Sequence, residues 1–193
     1  MSFDMLGLSG KAGAGKDFVC DRLIIALKGK KKVSRVAFAD ELRYELETIL
    51  TDGAAHAYLP ALWEKPYPEP IRWLLQHYGT EYRRAQDPDY WVKKAISTAQ
   101  RHIFNGSDLV IFTDVRFGNE AGAIRYQDGL VVEVVADDAT RAHRLGGVVL
   151  DGHASEDIDF EPDYRISNIE RPVLPAMLAF RLGLGDGTAP VTL

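Results

Sequence analysis

Three residues near the start of the chain have the types and spacing of a phosphate-binding loop. Gly10, Gly15 and Lys16 satisfy the pattern GxxxxGK, between an apolar run and an amphipathic helical pattern. Glycines let backbone N–H groups approach phosphate oxygens, the following helix N-terminus favours an anion, and the lysine reaches the outer phosphates. The segment predicts a site for the phosphates of a nucleotide, made of Gly10, Lys11, Ala12, Gly13, Ala14, Gly15, Lys16 and Asp17.

Asp17 departs from the usual motif, in which a serine or threonine follows the lysine and ligates magnesium. A carboxylate is also a hard oxygen ligand, so Asp17 is a candidate for holding magnesium directly or through water. An acid in the first turn of a helix is equally well explained by the helix dipole. Charge placement alone does not decide between the two interpretations.

A second candidate for the same metal follows a later apolar run. The segment LVIFTDVRFGNEA, residues 109–121, reads as a strand that ends near Asp114. A carboxylate at the end of a strand beside the phosphate loop is the usual second contact of the magnesium ion. Arg116 lies two residues further and should point the same way, towards a phosphate or towards an acid that it pairs with.

The elements that must position these residues alternate along the chain. Apolar runs bounded by turn signals predict about five strands, and helical patterns separate them. This alternation is typical of an α/β protein with a parallel sheet covered by helices. The predicted strands are FDMLGLS, SRVAFA, DLVIFTD, LVVEVVA and DYRISN.

Chain length and the spacing of the strands predict the domain organisation. With 193 residues, of which 46% are hydrophobic, one domain is expected. The interval 39–106 is too long for an ordinary connection and must carry helices of its own. We therefore predict a single domain, residues 1–193, with a core of residues 1–38 and 107–193 and a helical insertion at 39–106.

Composition excludes several classes of protein. The net charge of -5 argues against a protein whose main task is to hold a nucleic-acid backbone. Cys20 is the only cysteine, which excludes an internal disulfide and favours a reducing compartment. No apolar run approaches the roughly 20 residues of a membrane span. The expectation is a cytoplasmic protein without nucleic-acid or membrane partners.

Taken together, several segments resemble the phage-type deoxynucleoside monophosphate kinase family, over about residues 5–178. The resemblance implies a P-loop kinase-type three-layer sandwich that transfers the γ-phosphate of ATP to a deoxynucleoside monophosphate with Mg²⁺. A lysine-aspartate pair occurs in that family's loop, so Asp17 marks a subtype. A phage origin, and hence the host cytoplasm, follows from this resemblance alone. The segments are GKAGAGKD, FADELR, LLQHYGTEYRR, DVRFGNEA, HASED and ISN.

The same resemblance assigns the acceptor site to the insertion, with LLQHYGTEYRR as its main segment. The side chains there offer donors and acceptors suited to a base and an anionic phosphate, although a solvated helix end has a similar composition. The candidate substrate-binding residues are Arg43, Gln76, Thr80, Glu81, Arg83, Arg84 and Asp114.

A short lid is predicted at about residues 138–157. Arg141 and Arg144 are three residues apart and share one helical face, so they are candidates for closing over the transferring phosphates. A basic pair on the surface is the alternative, and charge pattern alone favours it. The catalytic candidates are Lys16, Arg116, Arg141 and Arg144; the family-like segment with His153, Ser155 and Glu156 receives no role.

Two other functions stay open from the sequence. A small-molecule kinase of related fold, such as a dephospho-coenzyme A kinase, would use the same loop with another acceptor. A non-enzymatic module would bind ATP without an acceptor. The preferred base, the discrimination of deoxyribose from ribose and a homodimeric state are also left open.

Overall fold

The computed structural model describes residues 4–53, 55–64, 67–147 and 158–167. The Cα positions group into two compact units, which we call the core unit (Met1–Val36 with Thr98–Leu193) and the helical unit (Ala37–Ser97). The segment with His153, Ser155 and Glu156 lies outside the described residues, as does the end of the predicted lid.

The core unit contains a five-stranded sheet in which every pair of neighbours is parallel. Its strands are β1 Met5–Ser9, β2 Val33–Val36, β3 Leu109–Val115, β4 Leu130–Val135 and β5 Tyr164–Ser167. Their order in the sheet is β2-β3-β1-β4-β5, so the strand before the glycine loop is central. All five predicted strands are present, which confirms the predicted α/β class.

Helices cover both faces of this sheet. Helix α1 (Lys16–Leu27) packs its buried residues Leu23 and Leu27 against Leu6 and Leu8 of β1. Gly7 points to the opposite face, where an added Cβ would lie 2.9 Å from Ile124 of α5 (Gly118–Tyr126). The alternation of β1 side chains therefore separates two helical layers, as expected for a strand buried on both faces.

The helical unit has a small apolar core of its own, formed by Leu46, Leu62 and Ile71. Its elements are helix α2 (Phe38–Asp52), two 3₁₀ turns (His56–Tyr58 and Pro60–Leu62), helix α3 (Glu69–Gln76), a π-helical segment (His77–Arg84) and the first turns of α4 (Tyr90–Phe104).

The pattern IRWLLQHY, residues 71–78, predicts a helix, and the observed helix differs from it at its end. The α-helical geometry stops at Gln76, and the chain continues as a π-helix. Gly79 is buried in this segment: an added Cβ would meet Leu42 at 2.7 Å, and the Gly79 carbonyl accepts a 2.9 Å hydrogen bond from the Trp91 indole. Long π-helices are rare and carry no local sequence signal, so these tertiary contacts could not be anticipated.

Aspartate is a favoured N-cap residue, so Asp137 predicts the start of a helix. Helix α6 (Asp138–Arg144) begins there, and the Asp137 carboxylate caps it by accepting a 2.7 Å hydrogen bond from the Thr140 N–H. Across the described part of the chain, we find no helix that is both long enough and apolar enough to cross a membrane.

Candidate active site

The glycines of the loop between β1 and α1 are required by its backbone. Gly10, Gly13 and Gly15 have φ values of +132°, +76° and +91°. Side chains rarely tolerate such values. At Gly10 an added Cβ would also lie 2.3 Å from the carbonyl oxygen of Val134. The loop therefore takes the form expected of a phosphate-binding loop that leads into a helix N-terminus.

The loop lies where ligands bind in sheets of this type. Strand β1 pairs with β3 on one side and with β4 on the other. The strand order thus changes direction at β1, and ligands of open α/β sheets bind at the carboxyl edge of such a point. Ser9, the last residue of β1, is paired with Val115. Half-buried Asp114 precedes Val115 and so lies at the same edge.

Lys16 folds across the loop. Its Nζ donates hydrogen bonds to the carbonyl oxygens of Gly10, at 2.5 Å, and Lys11, at 3.2 Å. The ammonium is thus held within the loop that its predicted phosphate would occupy. Outer phosphate oxygens are stronger partners than neutral carbonyls for a lysine, because charge-assisted hydrogen bonds are about twice as strong.

The two arginines of α6 contact the loop directly. Arg141 donates from Nε to the Ala12 carbonyl at 2.8 Å, and Arg144 donates from Nη1 to the carbonyls of Gly13 and Ala14, both at 3.1 Å. The structure therefore places both predicted lid arginines beside Lys16's loop. Their donors engage the carbonyl oxygens of the loop, so a contact with phosphate would require them to exchange partners.

Asp17 has a partner that the sequence did not suggest. Its carboxylate accepts a hydrogen bond from the Arg35 guanidinium on β2, and Arg35 also lies 3.4 Å from Asp21. The Asp17 side chain is still 68% exposed. Asp17 is therefore in an ion pair and remains accessible at the start of α1.

The turn after β3 is held by a buried carboxylate. Glu120 is 1% exposed and accepts hydrogen bonds from the backbone N–H groups of Arg116, at 2.8 Å, and Phe117, at 3.2 Å. These bonds satisfy N–H groups at the start of α5. The Arg116 side chain is exposed just beyond Asp114. Glu120 is a positioning residue that sequence reasoning missed.

In the helical unit, Arg43 of α2 lies in an aromatic pocket. Its guanidinium donates to Asp40 at 2.5 Å and to the Tyr67 hydroxyl at 2.7 Å, and it lies 5.7 Å and 5.8 Å from the ring centres of Trp63 and Tyr67. Its Nε is buried without a hydrogen-bond partner among the described residues. The pocket therefore fixes Arg43 with one N–H unsatisfied.

The other predicted acceptor residues differ in their surroundings. Gln76, Thr80 and Glu81 are exposed, and Arg84 is half-buried at the end of the π-helix. Arg83 is held by the carboxylate of Glu45, with 2.6 Å between Nη2 and Oε1. Glu45 belongs to α2 and was not among the predicted residues; nothing in the local sequence distinguishes it from other acids of that helix.

Substitution of Arg141 or Arg144 by alanine is expected to reduce turnover about tenfold or more. Each change removes hydrogen bonds from a cation to the loop, and such bonds contribute about 1.5–3 kcal/mol. The measurement is steady-state kinetics at saturating ATP. Arg22→Ala is the matched control, because this arginine of α1 is exposed and its guanidinium lies over the Phe18 ring. Wild-type kinetics in both loop variants would exclude a role for these arginines.

The candidate metal ligands are two carboxylates, Asp17 and Asp114. Among residues 4–53, 55–64, 67–147 and 158–167, we find no group of three or more His, Cys, Asp or Glu side chains that could hold a metal ion. Magnesium in kinases takes most of its ligands from water and substrate phosphates and needs only one or two carboxylates. The two aspartates have the chemistry for that limited role.

Comparisons with known proteins identify a kinase family. The model of the phosphomevalonate kinase family matches residues 8–127, which include the loop, Asp114 and all of the helical unit. A comparison with curated proteins finds no match.

Among solved structures, TT1252 from Thermus thermophilus is 14% identical, with a TM-score of 0.57 over 96% of this chain and 100% of that one. Shikimate kinase from Acinetobacter baumannii is 11% identical, with a TM-score of 0.47 over 94% of each chain. At these identities the likeness to TT1252 concerns the fold alone. The five parallel strands with helices on both faces, together with the match to a kinase family model, are those of a P-loop kinase-type sandwich. Since the family model matches more than half of the residues of this chain, the chain belongs to the phosphomevalonate kinase family.

Proposed function

We propose that this kinase transfers the γ-phosphate of ATP to the phosphate group of a deoxynucleoside monophosphate. Family membership supports phosphoryl transfer to a small molecule. The sequence segments that resemble the phage-type deoxynucleotide kinases support the nucleotide acceptor. Both lines point to an acceptor that already carries a phosphate, so the product would contain a new phosphoanhydride bond.

The proposed reaction needs no general base. An oxygen of the acceptor phosphate is already an anion at neutral pH and attacks the γ-phosphorus, while the bond from that phosphorus to the bridging oxygen breaks and ADP leaves. What the enzyme must supply is alignment and cancellation of charge. In this proposal Lys16, Arg116 and the arginines of α6 supply positive charge, and a magnesium ion held by Asp17 and Asp114 would supply more.

The observation that carries the choice of a nucleotide is the association of aromatic rings with cations in the helical unit. Arg83 lies 5.2, 5.5 and 4.8 Å from the ring centres of Tyr78, Tyr82 and Tyr90. Tyr82 is 52% exposed and is stacked on Tyr78 with 5.6 Å between the ring centres. An exposed ring beside a cation suits a ligand that has both an aromatic base and a phosphate.

The family's name favours a second candidate, phosphomevalonate. This acceptor also carries a phosphate and would undergo the same transfer. It has no aromatic ring, so exposed Tyr82 would have nothing to stack on. The two candidates therefore predict different effects of removing the Tyr82 ring on binding of the acceptor.

An acceptor panel tests the proposal. ADP formation from Mg-ATP is measured with each deoxynucleoside monophosphate, with ribonucleoside monophosphates, phosphomevalonate and dephospho-coenzyme A, and without acceptor. We expect strong stimulation by one or a few deoxynucleotides and a rise in their KM in Tyr82→Ala. Stimulation by phosphomevalonate alone would replace the proposal by the second candidate, and ATP binding without any stimulation would favour a non-enzymatic module.

A further inference from the structure

One carboxylate in the helical unit organises two cations and two phenols. Glu45 accepts hydrogen bonds at 2.6 Å from the Tyr78 hydroxyl, 2.8 Å from Arg83 Nε, 2.7 Å from the Tyr90 hydroxyl and 2.6 Å from Lys94 Nζ. Its side chain is only 13% exposed. These residues belong to α2, the π-helix and α4, so the carboxylate fixes the cations where three elements meet.

The charges of this cluster do not cancel. One carboxylate faces one guanidinium and one ammonium, which leaves a net charge of +1. Half-buried cations are stable when they are paired, and a surplus charge in such a place attracts an anion. The Arg83 and Lys94 side chains are 27% and 39% exposed, so an anion from solvent can reach both.

Donors also remain for such an anion. Arg83 uses Nε and Nη2 towards Glu45 and Tyr78, and within the described residues its Nη1 donates no hydrogen bond. Lys94 directs a single hydrogen bond to Glu45, although an ammonium has three donors. A phosphate whose oxygens reach Nη1 and Nζ would receive charge-assisted hydrogen bonds from both cations.

We infer that Arg83 and Lys94 form a binding site for a phosphate monoester, and that Glu45 is the positioning residue that keeps both cations in place. In the setting of the proposed function, on which this inference rests, the ligand is the phosphate of the acceptor. The exposed ring of Tyr82 is then available to the nucleoside part of the ligand.

The titration behaviour of Glu45 agrees with a fixed, charged partner. Burial raises the pKa of this carboxyl, but hydrogen bonds from Lys94, Tyr78, Tyr90 and Arg83 outweigh burial and lower the pKa to about 2. Because the folded pKa is below the ordinary value of 4.5, the stabilisation is complete above that value and is lost as the pH falls towards 2. The cluster is therefore intact at neutral pH.

Binding of inorganic phosphate and of a deoxynucleoside monophosphate is measured by calorimetry, with a non-hydrolysable ATP analogue filling the phosphate loop so that only the second site is read. We expect Lys94→Met to weaken binding of both ligands about tenfold, the loss of one charge-assisted hydrogen bond. Lys93→Met is the matched control. The neighbouring Lys93 is exposed and pairs with Asp87 at 2.7 Å, so this substitution removes the same charge and leaves the contacts of Glu45 unchanged.

Glu45→Gln separates positioning from simple attraction. The substitution makes the cluster more positive, so attraction alone predicts tighter phosphate binding. Positioning predicts weaker binding, because the cations lose the partner that fixes them. Tighter binding in Glu45→Gln, or unchanged binding in Lys94→Met, would overturn the inference. If circular dichroism shows that Glu45→Gln does not fold, the binding measurement on Lys94→Met still tests the inference, because Lys94 is half-exposed and its substitution should not prevent folding.

Kinetics distinguish failure of this inference from failure of the proposed function. With an active acceptor, Lys94→Met should raise the acceptor KM about tenfold and leave the KM for ATP unchanged. Turnover of deoxynucleotides with an unchanged acceptor KM would remove the site and retain the function. Lys94-dependent binding of inorganic phosphate without turnover of any deoxynucleotide would retain the site and remove the function.

Discussion

Lys16→Ala is expected to lower turnover by on the order of 10²–10³-fold while the protein stays folded. The Lys16 ammonium lies within the glycine loop, bonded to the carbonyls of Gly10 and Lys11, where it can transfer to phosphate oxygens. An interaction with charge that moves during the reaction acts mainly on the transition state, so the loss should appear in kcat. Steady-state kinetics with Mg-ATP and the best acceptor measure it.

The control for this variant is Lys28→Ala, which removes an exposed lysine just beyond the end of α1. Circular dichroism and thermal unfolding establish that both variants are folded. We expect Lys28→Ala to match the wild type in kcat and KM. A folded Lys16→Ala protein with unchanged turnover would contradict the role given to the loop.

Gly10→Ala should be the most damaging methyl addition among the described glycines of the core unit. The new Cβ would lie 2.3 Å from the Val134 carbonyl oxygen, and φ at this residue is +132°. Because the obstacle is backbone in the central sheet, overpacking of about 1–3 kcal/mol adds to backbone strain of about 1–2 kcal/mol. We expect a loss of about 3 kcal/mol in the free energy of unfolding, measured in urea, together with weaker ATP binding.

Gly29→Ala isolates the backbone contribution. Gly29 also has a positive φ, +81°, but an added Cβ meets nothing within 4 Å. Its substitution should therefore cost only about 1 kcal/mol and leave ATP affinity unchanged. Equal losses of stability in the two variants would show that the steric contact at Gly10 does not hold in solution.

The sequence was most informative where the structure is governed by local pattern. The central strands β1, β3 and β4 are largely apolar because burial on both faces removes most polar residues, whereas the edge strands β2 and β5 bury only Val36 and Ile166 fully. The loop was identified because the positive φ values at Gly10, Gly13 and Gly15 leave glycine as the favoured residue. The helix start at Asp137 could be predicted from local sequence as well, because aspartate is a favoured N-cap residue.

Contacts between distant parts of the chain left no such signal. Arg141 and Ala12 are 129 positions apart, and Lys94 and Glu45 are 49 apart. The charge pattern showed that arginines and acids were present but not which of them meet. Arg35, paired with Asp17, was overlooked for this reason.

The π-helix at His77–Arg84 was missed because its residues are those of an ordinary helix. Within this wider helix, Gly79 is buried and its carbonyl accepts a hydrogen bond from Trp91. Both contacts form only in the folded helical unit. Residues of this segment, such as Arg83, could be named from the resemblance. Their partner Glu45 could be found only in three dimensions.

The most direct test of phosphoryl transfer to a phosphate acceptor follows a radioactive γ-phosphate from ATP into product, separated by chromatography. The account predicts that label enters a deoxynucleoside diphosphate, in proportion to the ADP formed. Label recovered only as inorganic phosphate, with every monophosphate acceptor unlabelled, would contradict it.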